Sequence, residues 1–137
     1  LMKGCDKIIF LGDGIDDIEY FKGYTDLPIM YVRGNNDYGS DAPLSITVKE
    51  AGISLFCTHG HKHYVKTDLL RLYLAGAEAG ANAVLFAHTH RPLIINENGI
   101  LLINPGSLGD PRGLVRPSFV ILDVSDGLCS PQLIEVK

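Results

Sequence analysis

KIIFLGD at residues 7–13 and IMYVRGNND at residues 29–37 are built alike: a short β-branched or aromatic apolar run, stopped by glycine and followed at once by metal-ligating side chains. Continuous apolar runs of this length are how strands buried on both faces read. Residues 15–22, between the two, suit a short helix. Strand, helix, strand predicts a parallel pair joined by the right-handed crossover that such connections nearly always take. Two further apolar runs end the same way, ISLFC into THGH at residues 58–61 and AVLF into AHTH at residues 87–90. The carboxyl edge of strands is where α/β folds place their ligands.

Outward from these segments the pattern fills in. Residues 45–48 and 53–58 read as a hairpin around the turn at 50–52. Residues 66–79 read as the strongest helix, with Leu69, Leu70, Leu72, Tyr73, Leu74 and Ala77 at three-to-four spacing and Gly80 where a C-terminal cap belongs. Strands follow at 83–87, 93–96, 100–103, 118–124 and 133–136, with turns at 97–99 and 126–127. A mixed first half and a mostly antiparallel second half fit two packed sheets with helices outside better than one open parallel sheet.

The chain has 137 residues, 46% hydrophobic and 20% charged, which is the size and composition of one folded domain. A formal charge of −4 without a dense basic run argues against binding polymeric nucleic acid. Cys5, Cys57 and Cys129 show no CxxC spacing and suit reduced thiols in a cytoplasm. No segment has the roughly 20 apolar residues of a membrane span. Leu1 is not an initiator, and an upstream segment is expected.

Each ligand residue also has a more ordinary reading. Asp13 taken alone reads better as a helix cap, and Asn35 as a turn former. His59 could be a core histidine bonded to backbone. Asp37 reads as an acceptor that orients a neighbour. His88 and His90, two apart, would point to one side of an extended segment and suit either one zinc or two adjacent metals. Arg91 reads as a phosphate clamp or as a solvated surface residue. His61 reads as an outer contact, His63 as a surface residue, and Asn104 in NPGS as a turn residue or a support for the metal shell. Jointly, a carboxylate, a carboxamide and three imidazoles make a mixed oxygen and nitrogen shell suited to divalent transition metals.

In this order the segments resemble the calcineurin-like metallophosphoesterase superfamily, whose pattern runs DxH, GDxxD, GN[HCN][DE], a GH-like segment and GHxH. Its small bacterial and archaeal phosphodiesterases also carry the NPGS loop, here residues 104–107. The resemblance implies an α/β (α+β) fold, a four-layer αββα sandwich of two mixed β-sheets flanked by helices, in a single domain over residues 1–137. It implies two divalent metals, with manganese expected and iron, zinc or nickel as alternatives. Asp13 would bridge them, Asn35, His59 and His88 would complete one site, and His90 would serve the other.

The implied reaction is phosphodiester hydrolysis by a hydroxide bridging the metals, with Asn36, His61 and Arg91 as substrate contacts. Asn36 stands where phosphoprotein phosphatases of the superfamily carry a catalytic histidine, which favours small or activated diesters. Two positions depart from the pattern: Ala87 replaces a glycine, and the DxH motif is absent. If the chain begins inside the domain, the fold would lack its first strand and first helix. The implied partners are a small phosphodiester or nucleotide substrate and a second copy of the chain, with neither polymeric nucleic acid nor membrane. The rival readings are a catalytically inactive scaffold of the same fold, as in the retromer subunit of the superfamily, and a dinucleoside polyphosphate or cyclic nucleotide hydrolase.

Overall fold

The computed structural model describes residues 4–14, 18, 22–112 and 115–136. The helix expected over residues 15–22, with Asp16 and Asp17, therefore lies almost wholly outside the described residues. On either side of it, β1 (Ile8–Phe10) and β2 (Ile29–Tyr31) pair in parallel, with Ile8 opposite Ile29 and Phe10 opposite Tyr31. Both strands are three residues long, shorter than the apolar runs that announced them. Leu11 and Val32 instead lead the chain into loops while remaining buried.

The main sheet has five strands: β3 (Ser45–Glu50), β4 (Ile53–Thr58), β5 (Ala83–Leu85), β6 (Leu93–Glu97) and β7 (Ile100–Asn104), in the order β3-β4-β5-β7-β6. Its centre is parallel, β4 on β5 on β7, and each side is closed by a hairpin partner running antiparallel. β5 is buried at all three positions and carries no polar residue, as a central parallel strand should. A separate antiparallel pair, β8 (Ser118–Ser125) and β9 (Leu128–Glu135), follows. β9 begins five residues before the expected strand at 133, because Pro131 masks it in the sequence. In a two-stranded ladder a proline is tolerated, since it needs no second hydrogen-bonded neighbour.

One α-helix is complete within the described residues, α1 (Leu70–Glu78), which starts later than the periodicity suggested. Tyr64 adopts a left-handed conformation at φ 53°, residues 64–68 form a turn, and Asp68 Oδ1 accepts the Leu70 N–H, so the regular ladder begins only there. α1 lays Leu72 and Gly76 on the sheet against Val84, Phe86 and Leu102. A Cβ at Gly76 would collide with Val84 Cγ2, which is why a glycine is tolerated in mid-helix.

The opposite face of the sheet buries Val48, Leu55, Cys57, Ala83, Leu85 and Ile103 against Leu11 and Val32, with Val120 and Leu122 of β8 packed beside them. The fold is thus mixed α/β, with a helix on one face of a five-stranded mixed sheet and strands on the other. The second strand layer consists of two separate ladders, one parallel and one antiparallel. Filling both faces with such residues contributes roughly 1.5–3 kcal/mol for each fully buried large side chain. No described helix is long and apolar enough to cross a membrane.

Candidate metal centre

The parallel strands β1, β2, β4 and β5 all run into loops at one edge, and those loops bring together four of the expected ligands. His59, following β4, is 1% exposed, and its Nδ1 lies 2.7 Å from the Leu11 carbonyl oxygen just past β1. A carbonyl can only accept, so Nδ1 carries the proton and Nε2 presents a lone pair. Around that lone pair stand Asn35 Oδ1 at 3.1 Å, Asp13 Oδ2 at 3.3 Å and His88 Nδ1 at 3.2 Å. A proton on His88 Nδ1 could satisfy one of these contacts, which leaves two oxygens facing a lone pair. The donor set of this acceptor-rich pocket fits a cation. Asp13, His59 and His88 each offer a ligand atom within 4.8 Å of the others.

Electrostatics keeps the imidazoles in the ligating form. Burial holds His59 below the ordinary histidine value, opposed by its hydrogen bond to Leu11 and by the Asp13 and Asp37 carboxylates. His88 is pushed down to about 4, by burial first and then by the positive fields of His59, Lys66 and His61. Both are neutral near pH 7 and available to a metal.

Backbone strain marks the same residues. Asp13 (φ 62°), His88 (71°) and His90 (60°) sit in the left-handed region, which is costly for side chains other than glycine and tends to be kept where function requires it. The left-handed turns also correct the expectation for the AHTH segment. Residues 88–90 are bent rather than extended. His88 enters the cluster, whereas His90 Nδ1 lies 2.6 Å from the Asp110 carbonyl oxygen and 3.5 Å from its carboxylate.

The supports are mostly backbone-directed. Asp37 accepts three N–H groups, from Asp13 and Gly34 on Oδ2 at 2.7 and 2.8 Å and from Gly14 on Oδ1 at 2.7 Å, fastening the loop after β1 to the loop after β2. Gly12 and Gly34 are needed at this junction. A Cβ on Gly12 would lie 2.7 Å from Gly34 N and 2.8 Å from His59 Nδ1, and one on Gly34 would lie 2.5 Å from Asp13 N. Asn104, wholly buried, donates to the Ala87 carbonyl at 3.2 Å and to Thr89 Oγ1 at 2.9 Å, and accepts from Gly106 N–H. It therefore shapes the loop that carries His88.

The other expected contacts are placed differently. Asn36 is exposed and gives both its N–H and its side-chain amide to Asp13, at 2.8 and 3.1 Å. Arg91 is exposed. His61 stands 5.4 Å ring to ring from His59 and 6.2 Å from His88, with a buried Nδ1 that has no partner among the described residues. His63 is half-buried with its ring edge-on to Phe56, not a surface residue. The Leu11 carbonyl, which sets the His59 tautomer, left no trace in the sequence because every residue has one.

A model of the calcineurin-like phosphoesterase superfamily domain matches residues 1–127. A probable metallophosphoesterase of Methanocaldococcus jannaschii is 36% identical over 127 residues, covering 92% of this chain and 65% of that protein. The vacuolar protein sorting-associated protein 29 of Schizosaccharomyces pombe is 28% identical over 128 residues, 86% of this chain and 68% of that one. Among solved structures, a protein of Streptococcus pneumoniae described as a predicted phosphoesterase superposes with a TM-score of 0.82 at 25% identity, covering 95% of this chain and 74% of its own. The chain spans between 56% and 65% of the length of the first curated metallophosphoesterases it matches. With its ligand-bearing loops on this sheet, the chain belongs to the calcineurin-like phosphoesterase superfamily.

Proposed function

We propose that this chain hydrolyses phosphodiesters with the help of divalent cations, manganese first among them, on small or activated substrates. The observation that carries the reading is the convergence of Asp13, Asn35, His59 and His88 on one acceptor-rich point. When bound, the cations would activate water and neutralise charge on the phosphoryl oxygens. Asp13, Asn35, His59 and His88 would hold one cation, and His90, its Nδ1 kept on the Asp110 carbonyl, would offer Nε2 to a second. Leu11 fixes the His59 ring and Asp37 fixes the Asp13 loop, so the donors are oriented before anything binds. Asn36, already on Asp13, would place its exposed amide beside a bound phosphate, with His61 and Arg91 on either flank. The free thiols Cys5, Cys57 and Cys129 favour a reducing compartment such as the cytoplasm.

Hydrolysis of bis(p-nitrophenyl) phosphate by the full chain, with and without manganese, tests the reading. Metal-dependent turnover is expected, and His88→Ala should lower it at least a hundredfold while leaving the far-ultraviolet circular dichroism intact. Undiminished turnover in that variant refutes the site, and a chain that binds no metal and turns nothing over refutes the enzyme. That second outcome would favour a scaffold role.

A further inference from the structure

Beside the ligand cluster a cleft of about 270 Å³ opens, lined among others by Arg33, Asn35, Tyr38, Leu44, His61 and Lys62. It adjoins the cluster through two of its walls, because Asn35 Oδ1 is 3.1 Å from His59 Nε2 and the His61 ring is 5.4 Å from that of His59. Three features bear on what it binds. The chain as a whole carries a net charge of −4, yet this wall holds two cations. Neither Arg33 nor Lys62 forms an ion pair with a carboxylate among the described residues. The carboxylate that also lines the cleft, Asp37, already accepts three backbone N–H groups.

Arg33 is held in place, its N–H on the Pro43 carbonyl at 2.8 Å and its Nη1 on the Ser40 carbonyl at 3.2 Å, leaving most of its donor fork for another acceptor. Lys62 is exposed, and Tyr38 is 88% exposed, an uncovered flat ring at the mouth of the cleft.

We infer that this cleft is a second anion subsite: the substrate is a phosphodiester whose alcohol carries a further phosphate, gripped by Arg33 and Lys62, with Tyr38 as the wall for a planar ring. A guanidinium fork and an ammonium point charge are the usual pair for a phosphate group, and an exposed tyrosine offers stacking. The volume lies just under the range of whole small-molecule sites, so it suits one phosphate and the sugar or ring attached to it. This substrate class rests on the phosphoesterase reading above, but the subsite has its own test.

Binding of thymidine 3′,5′-bisphosphate and of thymidine 5′-phosphate is measured by calorimetry with manganese present. The bisphosphate should bind at least tenfold tighter, more than the twofold that two equivalent phosphates give statistically. Lys62→Ala combined with Arg33→Lys should bring the ratio down to about two, and Tyr38→Ala should weaken both ligands alike. In turnover, thymidine 3′-phosphate 5′-(p-nitrophenyl phosphate) should show a KM at least tenfold below that of its 3′-hydroxyl counterpart, at similar kcat.

Equal affinity for the two nucleotides, or a preference that survives in the double variant, overturns the subsite. Hydrolysis of both esters without selectivity would overturn it while leaving the phosphoesterase reading standing. Selective binding without hydrolysis of either would do the reverse.

Discussion

Replacing Asp37 by Asn removes one negative oxygen and changes nothing else in shape. In the folded chain the carboxylate takes Asp13 N–H and Gly34 N–H on one oxygen and Gly14 N–H on the other. An asparagine can keep the first pair with its carbonyl oxygen, but it must then turn its amide hydrogens toward the Gly14 N–H, donor against donor. One charge-assisted bond is lost, worth about 1.5–3 kcal/mol, and the other two weaken as the charge goes. Asp37 is half-buried, so water recovers part of that, and a net loss of about 2 kcal/mol is expected for Asp37→Asn. Asp37→Ala should lose about 3 kcal/mol, since all three N–H groups then rely on water.

For a domain of this size, 2 kcal/mol corresponds to a fall in Tm of roughly 6 °C. The same substitution frees the loop that places Asp13, and supports of this kind are worth roughly 10–100-fold in metal affinity. Urea unfolding of the metal-free chain gives the first quantity, and competition for manganese against a chelator gives the second. An Asn variant within about 0.5 kcal/mol of the parent and with unchanged manganese affinity would refute the argument that Asp37 ties the two loops together.

Gly34→Ala should abolish manganese binding with little change in helix or sheet content, because its Cβ would press on Asp13 N at 2.5 Å; titration calorimetry reads this directly. Burial holds His59, His61, His63 and His88 below the ordinary histidine value, so the unfolded chain takes up more protons than the folded one. Stability without metal should therefore be full above pH 6.5 and fall toward about pH 4, the value of His88, and urea midpoints in chelator that rise on acidification would contradict this. Cys57, its thiol pushed up to about 12 by burial, should resist Ellman's reagent at pH 8 until the chain unfolds. Half-buried Cys5 should be labelled in the folded state, as mass spectrometry of peptides would show.

The strands were legible wherever burial leaves a continuous apolar run, as at residues 8–10, 53–58 and 83–85. The parallel pairing of β1 with β2 followed from the length of chain between them. What escaped notice has local causes. Pro131 hid half of β9, since a proline inside a run argues against a strand unless the ladder has a free side. Tyr64 and Asp68 moved the start of α1, and neither a left-handed residue nor a side chain bonded two positions ahead alters hydrophobic spacing.

The bend at residues 88–90 depended on two positive φ angles at non-glycine residues, which no period of two could reveal. In the candidate site, the ligand types and their order stood in the sequence. Their supports did not: the Leu11 carbonyl, the Asn104 amide and the pairing of His90 with Asp110 are contacts between distant segments, made by groups that look ordinary at their own positions.

The ligand cluster spans long stretches of chain, with 24 residues separating Asn35 from His59 and 29 separating His59 from His88. A cation seated there would act as a rivet through four loops at once, with no foothold in the unfolded polypeptide, where these donors are far apart. It would therefore seal the fold after assembly rather than nucleate it. The seal would tighten with concentration, by about 2.7 kcal/mol at a hundred times the dissociation constant. Cells starved of that ion would lose copies of the protein to unfolding as well as losing its turnover.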